Sequence, residues 1–247
     1  MTINPELQQR VTDSQGRWWH SIDLGEYGQT QGYKTPEILE REWQAMRVPA
    51  LAGKSVLDIG AWDGYFSFRA EREGAASVTS LDHYVWSFDP LEKIAYEAEC
   101  RAKGETPKPW DEIEQLWRPH ELPGKRSYDV AHDALGSRAE VVVGDFMALP
   151  REELPTADVV FFLGVLYHLK DMVEAFSRLR HVTKELAIIE TEAADLPEYA
   201  GTPVAEFTPE DQMSDDPTNW WAPNDAALVG LARSAGFSKI EVVQGAP

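Results

Sequence analysis

The stretch "SVLDIGAWDGYFSF", Ser55 to Phe68, constrains this chain more than any other. A continuous apolar run carries one acid, Asp58, near its end, turns through Gly60 and Gly64, and resumes as an aromatic-rich segment of helical character. An unbroken apolar run suits a strand covered on both faces, the setting of a parallel sheet. Glycine lets the turn come close to a ligand, and the helix beyond it offers its positive end and free N–H groups. The pattern recurs along the chain. "SVTSLD", "AEVVVGD", "ADVVFFLG", "ELAIIET" and finally "SKIEVV" read as strands, and "YFSFRAEREGA", "SYDVAHDALG", "KDMVEAFSRLRHV" and "NDAALVGLARSAG" as helices. This alternation predicts an α/β fold with a mostly parallel, doubly wound sheet.

Three regions depart from the alternation. Residues 1–50 are polar and aromatic, with a helix expected over "TPEILEREWQAM", where Pro36 follows Thr35. They read as an N-terminal helical cap segment ahead of a core spanning 51–247. Residues 83–126 are too long for a simple crossover; "DPLEKIAYEAECRAKG" and "PWDEIEQLW" both look helical there. Residues 194–223 form a second irregular insertion, and both insertions are expected to act as lids.

Charge and cysteine content narrow the partners. With 23 basic and 42 acidic residues the chain carries −19 at neutral pH, a field that repels polyanions. The densest basic stretch, "GKRSYD", is only two adjacent charges, so a nucleic-acid partner is disfavoured. Cys100 is the single cysteine, which rules out an internal disulfide and a cysteine-built metal site. No metal is assigned. The N-terminus has no signal-like apolar core and nowhere is there an 18-residue apolar run, so no membrane association is expected and the cytoplasm is the expected compartment. Self-association is left open.

In a parallel sheet, ligands bind beyond the carboxyl ends of the strands where the winding reverses. Asp58 and its glycine turn lie at such an end. Asp82 closes the next strand, 24 residues on, where a carboxylate can grip ribose hydroxyls. Asp145 closes "AEVVVGD", placed to accept from an adenine amino group, with Phe146 beside the ring. The dinucleotide fingerprint G-x-G-x-x-G is absent, which sets a nicotinamide cofactor aside. An acid ahead of the turn suits a cationic ligand, and S-adenosylmethionine carries both an ammonium and a sulfonium.

"VLDIGAWDG" resembles the first motif of the class I S-adenosylmethionine-dependent methyltransferases, except that Trp62 stands in place of the middle glycine. Together with "ALGSRAEVVVGD" and "FFLGVLYHLKD" it is similar to a narrower family, the tRNA wobble-uridine methyltransferases, related to the carboxymethyl-transferring enzymes acting on the same base; the likeness covers roughly residues 17–243. The resemblance implies a Rossmann-like class I core with S-adenosyl-L-methionine as cofactor. Carried over, it puts Asp58, Gly60 and Gly64 at the methionine end, Asp82 on the ribose, Asp145 and Phe146 at the adenine, and Leu163 and Tyr167 beside the sulfonium.

Methyl transfer to a hydroxyl gains from a general base, typically a factor of about 10²–10⁴. His168, after the strand "ADVVFFLG", is the first candidate, His20 in "RWWHSIDLG" the second, and Glu192, at the end of "ELAIIETEA", the third. Trp86, Trp220 and Trp221 read as exposed loop aromatics suited to an acceptor ring. A carboxymethyl donor would need a basic residue near the transferred group, for which Lys34 is the nearest candidate. The expected activity is O-methylation of a small-molecule hydroxyl on a sugar or secondary metabolite. The alternative is modification of a tRNA wobble uridine. A module that only holds the cofactor is a third class, set against by the intact motifs.

Overall fold

The computed structural model describes residues 3–244, so the last three residues of the core segment expected to reach 247 lie outside the described residues. Helix α1 (Pro5–Asp13) starts at Asn4, whose side chain accepts from the Glu6 and Leu7 amides, and α2 (Pro36–Ala45) starts at Thr35, as the Thr-Pro pair predicts. Then come β1 (Ser55–Ile59), α3 (Tyr65–Arg72), β2 (Ser77–Asp82), α4 (Pro90–Lys103), α5 (Arg126–Leu135) and β3 (Glu140–Val143). The chain continues with β4 (Ala157–Leu163), α6 (Met172–Val182), β5 (Thr183–Glu190), the short strands β6 (Ala205–Phe207) and β7 (Trp221–Pro223), and α7 (Asp225–Ser234).

The main sheet has the order β3-β2-β1-β4-β5 and every pairing in it is parallel. Winding runs outward from β1 to β3, then restarts at β4 on the other side, so the switch point lies between β1 and β4. Alternation along β1 splits the core in two. Val56 packs with Trp18, Ile22, Leu39, Phe68, Tyr128 and Phe161 on one face. Leu57 and Ile59 pack with Leu81, Val160, Phe162, Phe176 and Leu179 on the other. Asp58 lies on the Val56 face by the same period of two. Residues of the N-terminal fifty therefore complete the first face of the sheet. Among the described residues no helix is long and apolar enough to cross a membrane.

Two expectations fail. "PWDEIEQLW" forms only a short turn, Trp110–Glu112, followed by bonds from the Leu116 and Trp117 amides to the Ile113 carbonyl. Its helix-like apolar spacing instead serves an aromatic cluster, in which Trp110 packs on Phe88 with ring centres 4.9 Å apart and Tyr84 on Trp117 at 5.1 Å. "SKIEVV" forms no strand: Val242 and Val243 are exposed, and Glu241 pairs with Arg47 at 2.7 Å. A strand needs a ladder partner for its backbone groups, and this segment has none among the described residues.

Candidate cofactor and acceptor site

The turn after β1 is built by its own backbone. Gly60 has φ +79 and Gly64 φ +88, conformations that glycine adopts without strain. A Cβ at Gly60 would stand 2.5 Å from Val165 Cγ2, so the turn is pressed against the segment leaving β4. The Gly60 and Ala61 amides donate to Leu81 O at 2.8 and 3.3 Å, and the Gly64 amide to Ala61 O at 2.8 Å. The Trp62 amide donates to Asp82 Oδ2 at 2.9 Å, and the His83 amide to Asp82 Oδ1 at 2.6 Å. Four amides that would cradle a pyrophosphate are thus satisfied internally. What the turn carries is carboxylate, an acceptor set that fits a cationic ligand and not a dinucleotide.

Both acids are buried, and burial pushes both upward in pKa. Asp58 reaches about 6, opposed by the Ser67 hydroxyl, at 2.6 Å from Oδ2, and by the Ser67 amide. Asp82 reaches about 7, opposed by the loop amides it accepts. Asp145 is exposed; its Oδ1 takes the Met147 amide at 2.7 Å, and Arg178 Nη1 fixes the same turn through Phe146 O at 3.0 Å and Leu149 O at 2.7 Å. Phe146 is buried against Phe162, ring centres 5.6 Å apart.

Trp62, at the place of the missing glycine, has φ +49. Such a conformation is an outlier for a bulky residue and persists only when its surroundings fix it. Here the Trp62 ring stacks on Trp19 at 4.8 Å, which stacks on Tyr33 at 4.8 Å, and Trp86 Nε1 donates to Trp62 O at 2.7 Å. Trp86, expected to be an exposed substrate contact, is 0% exposed and underpins the turn after β1 instead. Its ring packs on Tyr128 of α5, ring centres 5.3 Å apart, and this contact draws it inside.

The N-terminal segment brings His20 to the same turn. Asp63, fully buried, accepts from the Trp19 amide at 2.9 Å, the His20 amide at 2.8 Å and His20 Nδ1 at 2.5 Å. An ionised carboxylate is acceptor-only, which assigns the proton to Nδ1 and leaves Nε2 as the basic nitrogen. His168 is held by the second insertion: Nδ1 lies 3.1 Å from Thr218 O and 3.0 Å from Thr218 Oγ1, and Thr218 Oγ1 donates to Asp216 Oδ1 at 2.6 Å. Burial lowers its pKa, so its imidazole is neutral at pH 7.

A further group surrounds Tyr167. A Cβ at Gly164 would meet the Tyr167 hydroxyl at 3.2 Å and Glu190 Oε2 at 3.8 Å. The Tyr167 hydroxyl is pushed well above its usual range by burial first, then by Glu190 and Glu192. Burial also raises Glu190, with Lys34 opposing and Glu42 and Glu192 reinforcing. Lys34 itself pairs with Glu42 at 2.9 Å. Leu163, half-buried, pairs in register with Glu190. Trp220 and Trp221 are half-buried: the Trp220 amide donates to Tyr167 O at 2.7 Å and Trp221 Nε1 to Lys170 O at 3.2 Å. Sequence reasoning missed Asp63, Glu42 and Ser67; of these, Asp63 alone carried a signal, as an acid inside the turn motif.

No family model matches the chain. It is 28% identical over 198 residues to the tRNA U34 carboxymethyltransferase of Aeromonas hydrophila, covering 79% of this chain and 48% of that one. It is 25% identical over 211 residues to the enzyme of that name from Chromohalobacter salexigens, covering 83% and 51%. The chain thus spans about half the length of the curated relatives it matches. Among solved structures, the N-terminal domain of EvdMO1, crystallised in the presence of SAH and D-fucose, superposes with a TM-score of 0.56 at 16% identity over 99% of this chain and 91% of that one. A phosphoethanolamine N-methyltransferase from Haemonchus contortus in complex with S-adenosylhomocysteine gives 0.50 at 16% identity, over 85% and 38%. The chain thus has the fold of the S-adenosylmethionine-dependent methyltransferases, and in sequence it resembles the tRNA U34 carboxymethyltransferases.

Proposed function

We propose that this chain uses S-adenosylmethionine to methylate a hydroxyl of a small uncharged acceptor, a sugar or secondary metabolite. The observation that carries this reading is the turn after β1, whose amides are internally satisfied and which offers Asp58 and Asp82 beside the His20–Asp63 pair. When bound, the cofactor supplies a methyl on a sulfonium, open to in-line displacement. Asp82 would accept from the ribose hydroxyls, Asp58 would face the ammonium, Asp145 and Phe146 would hold the adenine, and Leu163 and Tyr167 would border the sulfonium. His20 Nε2 would take the acceptor proton as the C–O bond forms and the methyl's bond to sulfur breaks, the sulfur leaving as the neutral thioether of S-adenosylhomocysteine, and Asp63 would balance the imidazolium. His168 is the second candidate base, and Glu192 lies at the rim. Trp220 and Trp221 flank the acceptor ring. The insertions at 83–126 and 194–223 act as lids, and the single cysteine fits a reducing cytoplasm.

The acidic surroundings of Tyr167 favour an uncharged acceptor over a phosphate-bearing one. Lys34, engaged by Glu42, is poorly placed to hold the carboxylate of a carboxymethyl donor, which favours ordinary S-adenosylmethionine. One observation supports a second reading, action on a tRNA wobble uridine: the names of the curated relatives. Radiolabelled S-adenosylmethionine offered with a sugar and polyol panel, and separately with bulk tRNA, separates the two. Label transfer to a small acceptor, with no tRNA binding at low salt, supports the first reading. Label on tRNA overturns it.

A further inference from the structure

A buried chain of hydroxyls ends on Asp58. Tyr128, from α5, donates through its hydroxyl to Ser80 Oγ at 2.9 Å. Ser80, on β2 and in register with Asp58, donates to Ser67 Oγ at 2.7 Å. Ser67, on α3, donates to Asp58 Oδ2 at 2.6 Å. Tyr128, Ser67 and Ser80 are all 0% exposed, within a face otherwise lined by Val56, Phe68, Trp86 and Phe161. All three O–H groups point the same way, toward the carboxylate. That polarity lets each bond strengthen the next and favours negative charge at the chain's end.

We propose that Ser67, Ser80 and Tyr128 are positioning residues that orient the Asp58 carboxylate toward the cofactor and keep it charged. The inference rests on the reading that Asp58 faces the cofactor's ammonium. Charged and titratable groups around Asp58 come from four elements: His20 from the N-terminal segment, Asp63 from the glycine turn, Asp82 from β2 and Tyr128 from α5. His20 favours the charge, whereas Asp63 and Asp82 oppose it. Besides the Ser67 hydroxyl, His20 and the Ser67 amide oppose the effect of burial on Asp58.

The test is calorimetric titration of S-adenosylhomocysteine into the whole chain between pH 5 and 8.5, for the wild type, Ser67→Ala, Tyr128→Phe and Asp58→Asn. Wild-type affinity rises as pH climbs through about 6. Both hydroxyl variants move that rise upward. For a displacement of one pH unit the affinity falls about fivefold at pH 6 and returns to the wild-type value by pH 8.5. Asp82 titrates in every variant, so the displacement between variants isolates Asp58. Tyr128→Phe removes a single oxygen and carries the test if Ser67→Ala does not fold. If Asp58→Asn weakens binding and both hydroxyl variants keep the wild-type midpoint, the relay inference fails and the cofactor reading stands. A loss that persists at pH 8.5 marks a merely structural role and also overturns the inference. Wild-type binding by Asp58→Asn overturns the cofactor reading itself.

Discussion

Replacing Gly60 by alanine tests the geometry of the cofactor turn at one atom. At φ +79 an L residue costs about 1–2 kcal/mol relative to glycine. The new methyl would also stand 2.5 Å from Val165 Cγ2, and relieving such an overlap in a packed site costs roughly 1–3 kcal/mol. The two terms sum to about 2–5 kcal/mol. For a chain of this size each kcal/mol moves Tm by about 2–4 °C, so the expected drop is on the order of 4–20 °C. Val165 leads directly into the Leu166–His168 turn, so S-adenosylhomocysteine affinity falls with it. A second substitution separates the terms. Val165→Ala removes the methyl being struck and, placed in the Gly60→Ala background, returns the overlap cost of about 1–3 kcal/mol while the backbone cost remains. Denaturant unfolding of the four members of this cycle reads the result. Gly60→Ala within about 0.5 kcal/mol of wild type, or no recovery from Val165→Ala, would refute the reasoning.

Other consequences are equally direct. Asp63→Asn removes the carboxylate that fixes the His20 tautomer, and kcat for a hydroxyl acceptor is expected to fall by about 10²–10⁴, with cofactor affinity within a fewfold of wild type by calorimetry. Trp86→Phe deletes the bond to Trp62 O and part of a fully buried ring; unfolding by urea should register a loss of about 1–3 kcal/mol. Asp58 and Asp82 bind protons more tightly folded than unfolded, so their burial cost is absent at low pH and grows as pH rises through about 6 and 7. Asp82→Asn should therefore make the apo protein more stable relative to wild type at pH 8 than at pH 5, measured as the difference in urea midpoints.

How much of this was legible in the sequence follows from the range of the interactions. Strands β1 and β4 were readable because burial on both faces demands apolar runs, and α2 because Thr35 and Pro36 fix its start locally. The acids at the strand tips were readable for the same reason, since strand ends are local. Trp86 was misjudged because its burial comes from partners distant in sequence, the Trp62 carbonyl and the Tyr128 ring. Asp63 lies 43 residues from His20, and Tyr128 lies 48 residues from Ser80, so no window of periodicity contains either pair. "SKIEVV" has the composition of a strand, but composition supplies no neighbour to pair with.

Isothermal titration of S-adenosylmethionine into the purified chain, with Asp82→Ala run alongside, bears most directly on the central claim that the strand-tip carboxylates hold this cofactor. The account predicts saturable binding of one cofactor per chain and at least tenfold weaker binding by Asp82→Ala, a loss of about 1.4 kcal/mol or more. No heat from the wild type, or equal affinity for the two proteins, contradicts it.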